Sequence, residues 1–308
     1  DLKINGMFVG ATSKKGLENQ KKEADFNFRS IGIENKIIEK KDVPDFIESN
    51  KYVGGIFDDK IGSMHPAKLV KSMIQLVHKK GGLIFDKTTF KKSERNGKKF
   101  NIWTNKGLVK SNHLVIATNA YTDKNIPWLR KKLIPVISEM IPTCEIGNNR
   151  VNSLMPKLTT FGEALNLFYY FRPSPDGKRI LIGGRRVRYN NENPTKKLKS
   201  GLLEIFPGLY EIELSNHWYG FVTFPIDQIP KLVMHEGIIY AAGYCGSGTV
   251  WSRWFGKKAA EIILNFEQKS AFYNIPFRNI PFYNGYPWFV PVAIKYFKMQ
   301  DWWINSRE

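Results

Sequence analysis

Hydrophobic and polar positions follow two different periods along this chain. Largely apolar segments, typical of strands, occur at residues 4–10, 52–58, 83–85, 113–117 and 237–243, and the run at 113–117 is continuous, as expected of a buried parallel strand. Apolar positions at helical spacing predict helices at residues 13–31, 66–80 and 249–264. Strands that alternate with helices in this way are typical of an α/β fold.

The middle of the chain contains mostly strand patterns. A three-stranded meander is predicted at residues 88–94, 100–105 and 108–111. Longer strands with alternating polarity are predicted at residues 133–144, 166–172 and 179–184, and a short helix is predicted at 197–205. These patterns predict an antiparallel sheet domain inserted between two α/β segments, so the expected fold class is mixed α/β.

Composition narrows the class of protein. The chain has 308 residues, of which 42% are hydrophobic, and this indicates a globular protein. Two cysteines and five scattered histidines exclude a disulfide scaffold and argue against a metal site. No apolar stretch approaches the roughly 18 residues of a membrane span, and the polar N-terminus does not resemble a signal peptide. We therefore expect a cytoplasmic protein without a bound metal.

The charge balance is strongly basic, with 47 Lys and Arg against 28 Asp and Glu and a net charge of +19. A nucleic-acid partner would require clustered cations. Here the lysines come in short runs spread along the whole chain, which is typical of a lysine-rich solvated surface. We therefore do not expect a nucleic-acid partner.

One segment is the strongest candidate for a ligand-binding site. It is GIIYAAGYCGSGTVWSRWFGKKAAEIIL, residues 237–264. It places a glycine turn between a buried strand and a helix, whose first N–H groups and positive dipole end suit an anion or an electron-rich carbonyl. A glycine turn needed only for tight packing is the alternative. HLVIATNAYT, residues 113–122, also ends a strand with small residues that can pass close to a cofactor, although a simple strand–loop junction explains it as well.

These segments belong to an ordered set that indicates a family. The set starts with GIFDDKIGSMHPAKLV, continues with FRPSPDGKRILIGGRR, DQIPKL and GYCGSG, and ends with PFRNIPFYNGYPWFVPVAIKYFKMQDWW. In this order the sequence resembles the FAD-dependent oxidoreductases of the D-amino acid oxidase superfamily over nearly its whole length. It is most similar to the branch that contains glycine and sarcosine oxidases, D-amino acid dehydrogenases and γ-glutamylputrescine oxidoreductases.

The resemblance implies an incomplete Rossmann-like FAD-binding domain with an inserted antiparallel-sheet substrate domain. It assigns residues 1–55 and 133–224 to the substrate domain, 56–132 and 225–266 to the FAD domain, and 267–308 to a C-terminal tail rich in aromatic residues and proline. Members of the superfamily open with a strand–GxGxxG–helix unit, and no GxGxxG occurs in this sequence. We therefore expect an N-terminally truncated chain.

The resemblance also implies flavin contacts at the matching positions. The backbone of Phe90 matches the position that meets the adenine, and the strand end beside the adenosine and pyrophosphate comprises Ala117, Thr118 and Asn119. The loop near the flavin pyrimidine edge comprises Gly243, Gly246, Ser247, Gly248 and Thr249. Its helix N-terminus would stabilise negative charge on the reduced flavin. Residues 221–225, FVTFP, contain no cysteine where sarcosine oxidases attach their flavin, so noncovalent FAD is expected.

Four residues are implied at the substrate. Arg185, at a strand end facing the ring, and Tyr170, on the neighbouring strand, would hold a carboxylate or line an amine pocket. A solvated or ion-paired arginine is the alternative for Arg185. Tyr244 in the glycine loop would face the pocket, and His65 would either line it or cap the turn before Pro66.

The implied reaction is oxidation of the C–N bond of an amine or amino acid. A neutral amine would give hydride to flavin N5, the imine would hydrolyse, and O₂ or a quinone would accept the electrons, with no dedicated catalytic base. Alternatives are a tRNA-modifying flavoenzyme domain of the same superfamily and an inactive fragment. A further alternative is weak contact of the tail with a membrane surface through Trp288, Phe289, Tyr296, Phe297, Trp302 and Trp303. Packing of these aromatic residues on the folded domain would exclude it.

Overall fold

The computed structural model describes residues 1–186, 193–266 and 270–306. The strands are β1 (Met7–Ala11), β2 (Lys36–Glu39), β3 (Gly54–Asp58), β4 (Phe90–Asn96), β5 (Lys99–Thr104), β6 (Gly107–Ser111), β7 (Val115–Ile116), β8 (Ile134–Pro142), β9 (Thr160–Glu163), β10 (Tyr170–Pro173), β11 (Ile180–Arg186), β12 (Trp218–Phe224), β13 (Lys231–His235) and β14 (Ile238–Ala242). The helices are α1 (Lys14–Ile31), α2 (Pro66–Lys79), α3 (Pro127–Arg130), α4 (Asn148–Leu154), α5 (Pro194–Ile205), α6 (Gly248–Ile263) and α7 (Val290–Asn305).

Two compact units share the chain. Unit 1 comprises Asp1–Val70, Ile137–Gly220 and Phe289–Glu308, and unit 2 comprises Lys71–Val136 and Phe221–Trp288. The chain therefore enters each unit more than once. The assignment of flavin or substrate to particular parts of the chain stays a prediction.

Unit 1 is built on an eight-stranded sheet with the order β12-β8-β11-β10-β9-β1-β3-β2. Its strands are antiparallel along β8-β11-β10-β9 and along β1-β3-β2, and β1 runs parallel to β9. The domain bounds 133–224 stay a prediction, but strands β8 to β11 do form an antiparallel sheet, as the fold class predicted. It also takes in β1, β2 and β3 from the start of the chain, which the hydrophobic pattern did not predict.

The core of unit 1 lies between this sheet and α5. Ile180 and Ile182 alternate along β11 and are fully buried, as expected of one face of a strand. On α5, apolar residues at helical spacing pack into the same core: Leu198, Leu202 and Ile205. The helix begins where the Asn193 side chain accepts hydrogen bonds from the first backbone N–H groups, at Thr195 and Lys196.

Unit 2 contains two three-stranded sheets, β13-β14-β7 and the predicted meander β4-β5-β6. Adjacent residues of β14 face two different clusters: Tyr240 and Ala242 lie in one, and Ile239 and Ala241 lie in the other, with Phe255 of α6. Both faces of this strand are therefore buried, and this explains its continuous apolar sequence.

Three predicted strands are absent or shorter than expected. Residues 83–85 form no strand, because no described strand pairs with them, and Leu83 is 79% exposed. The strand predicted at 113–117 is only β7, although it does run parallel to β14 as expected.

The strand predicted at 166–172 starts only at Tyr170. The preceding backbone N–H groups donate to carboxylates instead of to a neighbouring strand. Those of Asn166 and Leu167 donate to Asp301, and that of Tyr169 donates to Glu163. Side-chain acceptors from distant parts of the chain therefore shorten this strand.

Candidate active site

A glycine loop joins β14 to α6 in unit 2. Its backbone takes left-handed φ angles at Gly243 (+82°), Cys245 (+52°) and Gly246 (+97°). At Gly243 a Cβ atom would lie 2.4 Å from Cγ of Pro225, so only glycine fits this angle and this close approach. The loop is further fixed by the N–H of Cys245, which donates to the Thr223 carbonyl at 3.0 Å.

Asn119 connects this loop to the end of β7. Its side-chain oxygen accepts a hydrogen bond from the Gly243 N–H at 2.9 Å and another from the Thr223 hydroxyl at 2.6 Å. Because β7 and β14 are parallel neighbours, their carboxyl ends meet at one edge of the sheet, where ligands bind in α/β proteins. One amide side chain therefore holds three segments of this edge together.

The first turn of α6 leaves hydrogen-bond donors available. Ser247 precedes the helix without capping it through its side chain, and the first turn contains no acidic residue. The backbone N–H groups of Gly248 and Thr249 donate to no group in the described part of the chain. Together with the helix dipole, these donors suit a negatively charged or electron-rich group.

The other predicted flavin residues also lie in unit 2. Ala117 is exposed at the end of β7, and the Thr118 and Thr122 hydroxyls hydrogen bond at 2.8 Å across the turn that contains Asn119. Phe90 begins β4 and packs against the cluster that contains Ile116. The structure thus brings Asn119 and the glycine loop into direct contact and joins Phe90 to the strand end through shared packing.

Tyr244 has its side chain in the interior of unit 2. The ring is 6% exposed and packs on Phe255, and its hydroxyl donates to the Ala241 carbonyl at 3.1 Å. Burial raises the pKa of this hydroxyl to about 12. The tyrosine therefore stays neutral at physiological pH, and its substrate role stays a prediction.

The remaining substrate candidates lie in unit 1. The Tyr170 hydroxyl hydrogen bonds with the Ser138 hydroxyl at 2.7 Å and donates to the Gly184 carbonyl at 3.2 Å. Burial raises the pKa of Tyr170. His65 has a buried Nδ1 atom without a hydrogen-bond partner among the described residues. Its imidazole therefore has an unused polar atom that a ligand or a water molecule can satisfy.

Arg185 lies at the end of β11 with its guanidinium carbon 4.9 Å from the centre of the Phe168 ring. It lines a cleft of about 630 Å³ in unit 1, referred to below as the basic cleft. The charged side chains that line the basic cleft are Lys51, Glu163, Arg185, Lys196, Lys197, Glu204, Lys298 and Asp301. Cations outnumber anions there, so the basic cleft suits a ligand with a carboxylate or another anionic group.

The structure places a buried carboxylate in this cleft that the sequence did not indicate. Glu163 pairs with Lys51 at 2.6 Å and accepts hydrogen bonds from the Tyr52 hydroxyl at 3.1 Å and the Tyr169 N–H at 2.9 Å. Burial, and then the negative charge of Glu163, raises the pKa of Tyr52 well above its usual value. No spacing rule connects residues 51 and 163, so only the fold could reveal this pair.

One contributor to the glycine loop and one buried ion pair in the same unit went unnoticed in the sequence. Thr223 supplies both a hydroxyl and a carbonyl to the glycine loop edge. Asp227 and Lys231 form an ion pair at 2.8 Å in which the lysine is fully buried. Both residues lie in the motif DQIPKL, so the sequence did contain them. Residues four apart are neighbours in a helix, but this segment is a turn that leads into a strand, so their spacing alone did not predict an ion pair.

Among residues 1–186, 193–266 and 270–306, no group of three or more His, Cys, Asp or Glu side chains is placed to hold a metal ion. None of the helices in that part of the chain combines the length and the apolar character needed to cross a bilayer.

Solved structures of an oxidase and a dehydrogenase share this fold. A glycine oxidase structure from Geobacillus kaustophilus aligns with a TM-score of 0.76 over 91% of this chain and 75% of that one, at 19% identity. An L-proline dehydrogenase structure from P. horikoshii aligns with a TM-score of 0.72 over 88% of this chain and 75% of that one, at 16% identity. At these identities the likeness shows the fold alone.

The family follows from the sequence. Residues 1–262 match the model of the DAO family, described as FAD dependent oxidoreductase, and the chain belongs to this family. A γ-glutamylputrescine oxidoreductase of Escherichia coli K12 is 27% identical over 315 residues, which cover 98% of this chain and 71% of the relative. A probable oxidoreductase OrdL of Rhizobium meliloti is 30% identical over 225 residues, or 70% of this chain and 50% of the relative. The chain thus spans between half and about three quarters of these relatives.

The glycine loop fits the FAD on which this family depends. Gly246 and Gly248 add no side chains over the backbone of this loop, so a planar group can approach it closely. The N–H groups of Gly248 and Thr249 remain available to an electron-rich edge of that group. Ala117, Asn119 and this loop are the residues that would hold the cofactor.

Proposed function

We propose that this chain takes part in oxidising the C–N bond of an amine or amino acid. The observation that supports this most is the glycine loop, which Asn119 fixes beside the N-terminus of α6. The names of its relatives support the substrate class: glycine oxidase, L-proline dehydrogenase and γ-glutamylputrescine oxidoreductase. Amines and amino acids are common to all three names.

When bound, FAD supplies the acceptor for a hydride, that is, for two electrons and one proton from the substrate α-carbon. The substrate nitrogen must be neutral beforehand, so that its lone pair forms the C=N bond as the hydride leaves. The resulting iminium ion gives one N–H proton to water and becomes the imine. Water then adds to the imine and releases a carbonyl compound and ammonia or an amine. The electrons pass on to O₂ or a quinone, and the cytoplasm is the proposed location.

The residues of this chain bind and orient in this proposal, and none of them has to remove a carbon-bound proton. The N–H groups of Gly248 and Thr249 stabilise negative charge at the edge they face. Arg185 binds the carboxylate of an amino-acid substrate as a planar cation with paired donors. Tyr170, His65 and Tyr244 are proposed as further substrate residues.

A panel of amines and amino acids tests the proposal, with bleaching of the flavin absorbance followed without oxygen. We expect at least one amine or amino acid to bleach the flavin of the loaded protein. Arg185→Gln should raise KM for substrates with a carboxylate at least tenfold and leave simple amines unaffected. Arg179→Gln is the matched control, because Arg179 lies just before β11 and pairs with Glu145 at 2.6 Å.

Each outcome of that panel has a clear meaning. If no amine or amino acid bleaches bound flavin, the proposed reaction is wrong. If flavin is bleached but Arg185→Gln and Arg179→Gln behave alike, the reaction stands and the role of Arg185 is wrong.

A further inference from the structure

Helix α7 is apolar on two opposite faces. Its inner face consists of the buried or half-buried residues Val290, Ala293, Ile294, Phe297, Asp301 and Ile304. A second row lies on the opposite side at intervals of four, three and four residues: Val292, Tyr296, Met299 and Trp303. We call this row, together with the adjoining Trp302, the outer stripe. Its side chains are between 51% and 67% exposed.

The exposure of the outer stripe is a consequence of how α7 is attached to unit 1. The Asp301 carboxylate accepts hydrogen bonds from the N–H groups of Asn166 and Leu167 at 2.9 and 3.0 Å. Near the helix end, the Thr12 hydroxyl donates to the Asn305 side chain at 2.8 Å. These bonds fix the rotation of the helix, so the outer stripe is held toward solvent. A helix on the surface of a soluble protein normally has one apolar face, which is buried against the core. A helix with apolar residues on all sides is normally buried on all sides.

Positive charge lies along one side of the outer stripe. Lys295 and Lys298 are exposed beside it, and the only acidic residue of α7, Asp301, is on the inner face. Lys298 also lines the basic cleft, whose further cations include the exposed Lys196. The rim of the stripe is therefore complementary to a surface with negative charge.

We propose that the outer stripe docks on an anionic lipid surface, with α7 lying in the plane of the headgroups. Tryptophan and tyrosine are the side chains that membrane interfaces favour, and lysines on the polar side of such a helix add attraction to anionic lipids. A protein–protein interface, in contrast, is depleted of lysine. The net charge of +19 acts in the same direction. This inference does not depend on the proposed reaction.

Vesicle sedimentation of the whole chain tests the proposal. We expect binding to vesicles of phosphatidylcholine with one quarter phosphatidylglycerol, and much less binding to pure phosphatidylcholine. The variant Val292→Ser/Met299→Ser/Trp302→Ser should lose at least tenfold in partitioning. The matched control is Phe26→Ser/Phe28→Ser/Ile31→Ser on α1, whose three side chains are also 59% to 67% exposed. The control should bind as the unchanged chain does.

A charge variant distinguishes electrostatic attraction by the lysines from nonspecific hydrophobic adsorption to vesicles. Lys295→Gln/Lys298→Gln should weaken partitioning about 30-fold, at the usual contribution of one lysine near an anionic surface. Lys98→Gln/Lys99→Gln on the meander should have no such effect. In the unchanged chain, lipids brominated in their acyl chains should quench tryptophan fluorescence, and this readout needs no variant.

Three results would overturn the proposal. One is equal binding to neutral and anionic vesicles, and another is equal loss in the stripe variant and its control. The third is a dimer in sedimentation velocity that depends on the outer stripe, without any vesicle binding, because the occupant would then be a second copy of the chain.

Discussion

The side-chain oxygen of Asn119 accepts a hydrogen bond from the backbone N–H of Gly243 at 2.9 Å. Residue 119 follows β7 and residue 243 follows β14, so the bond joins the ends of two parallel strands. Asn119 has a φ of +42°, an angle that asparagine tolerates better than most residues. Asn119 therefore positions the glycine loop, in addition to any contact that it makes with a cofactor.

Removing the Asn119 side chain should loosen this edge. Asn119→Gly keeps the φ angle accessible but leaves two donors unpaired, at Gly243 and Thr223. We expect a loss of about 2–4 kcal/mol in the free energy of unfolding, measured in urea, and at least tenfold weaker FAD binding. Asn119→Asp retains an acceptor oxygen and should lose about half as much or less. Equal losses in the two variants would contradict the hydrogen-bond explanation.

Gly243 should tolerate no side chain. Gly243→Ala places a Cβ 2.4 Å from Pro225 and forces an alanine to φ +82°, so we expect about 2–4 kcal/mol of destabilisation in thermal unfolding. Gly256→Ala on α6 is the control, because a Cβ there meets nothing within 4 Å. It should stabilise the helix by about 0.5–1 kcal/mol. A neutral Gly243→Ala would show that the loop is not confined.

Asp227 and Lys231 should be strongly coupled. Lys231 is fully buried and Asp227 nearly so, and their atoms lie 2.8 Å apart. Asp227→Asn leaves the buried lysine without its partner, and Lys231→Met leaves Asp227 only the more distant Arg278 at 3.8 Å. Either should cost about 3–5 kcal/mol. The double variant should recover a large part of that loss. Simple additivity in this double-mutant cycle would refute the coupling.

The same pair predicts a dependence of stability on acid. Burial raises the pKa of Asp227, but hydrogen bonds from Lys231 and the Ile229 N–H, with nearby positive charge, lower it overall. A carboxyl whose folded pKa is lowered contributes stability above its unfolded value of 3.8, and this is lost as pH falls through the folded pKa. Below pH 4 the unchanged chain should therefore lose stability more steeply than Asp227→Asn. Parallel unfolding curves between pH 2 and 5 would contradict this.

Burial of Tyr244 should make the folded protein less stable at alkaline pH. Burial raises the pKa of the Tyr244 hydroxyl from the ordinary value of 10.0 to about 12. A raised folded pKa gives stability that is complete below pH 10 and is lost as pH rises toward 12, by at most about 3 kcal/mol. Tyr244→Phe should lose about 1 kcal/mol at pH 7 with the bond to Ala241, and its stability should fall less between pH 10 and 12. An identical slope for both proteins would show that Tyr244 does not ionise in that range.

Local signals predicted the elements that position the glycine loop. The continuous apolar residues of β14, the glycines after it and the helical spacing of α6 are all contained in one segment, 237–264. Asn119 was predicted at the same site only through the family resemblance. Its two hydrogen bonds to Gly243 and Thr223 span more than a hundred residues, so no local pattern contains them.

Contacts between residues far apart in the sequence also explain which strands and ion pairs the sequence analysis missed. The strand predicted at 166–172 is short because Asp301, far along the chain, captures two backbone donors. Residues 83–85 have a strand-like sequence, yet a strand also needs a neighbour to pair with, and that is a property of the fold. Buried pairs such as Lys51 with Glu163 likewise depend on distant segments that only folding brings together.

Titration of the purified chain with FAD tests the central claim most directly. Flavin absorbance and fluorescence would be followed for the chain alone and for the chain joined to the N-terminal GxGxxG unit of a family member. We predict stoichiometric FAD binding by at least the joined protein, with affinity reduced at least tenfold by Asn119→Gly and unchanged by Gly256→Ala. Absence of binding in both proteins, or equal affinity in the two variants, would contradict the assignment of the glycine loop as the flavin site.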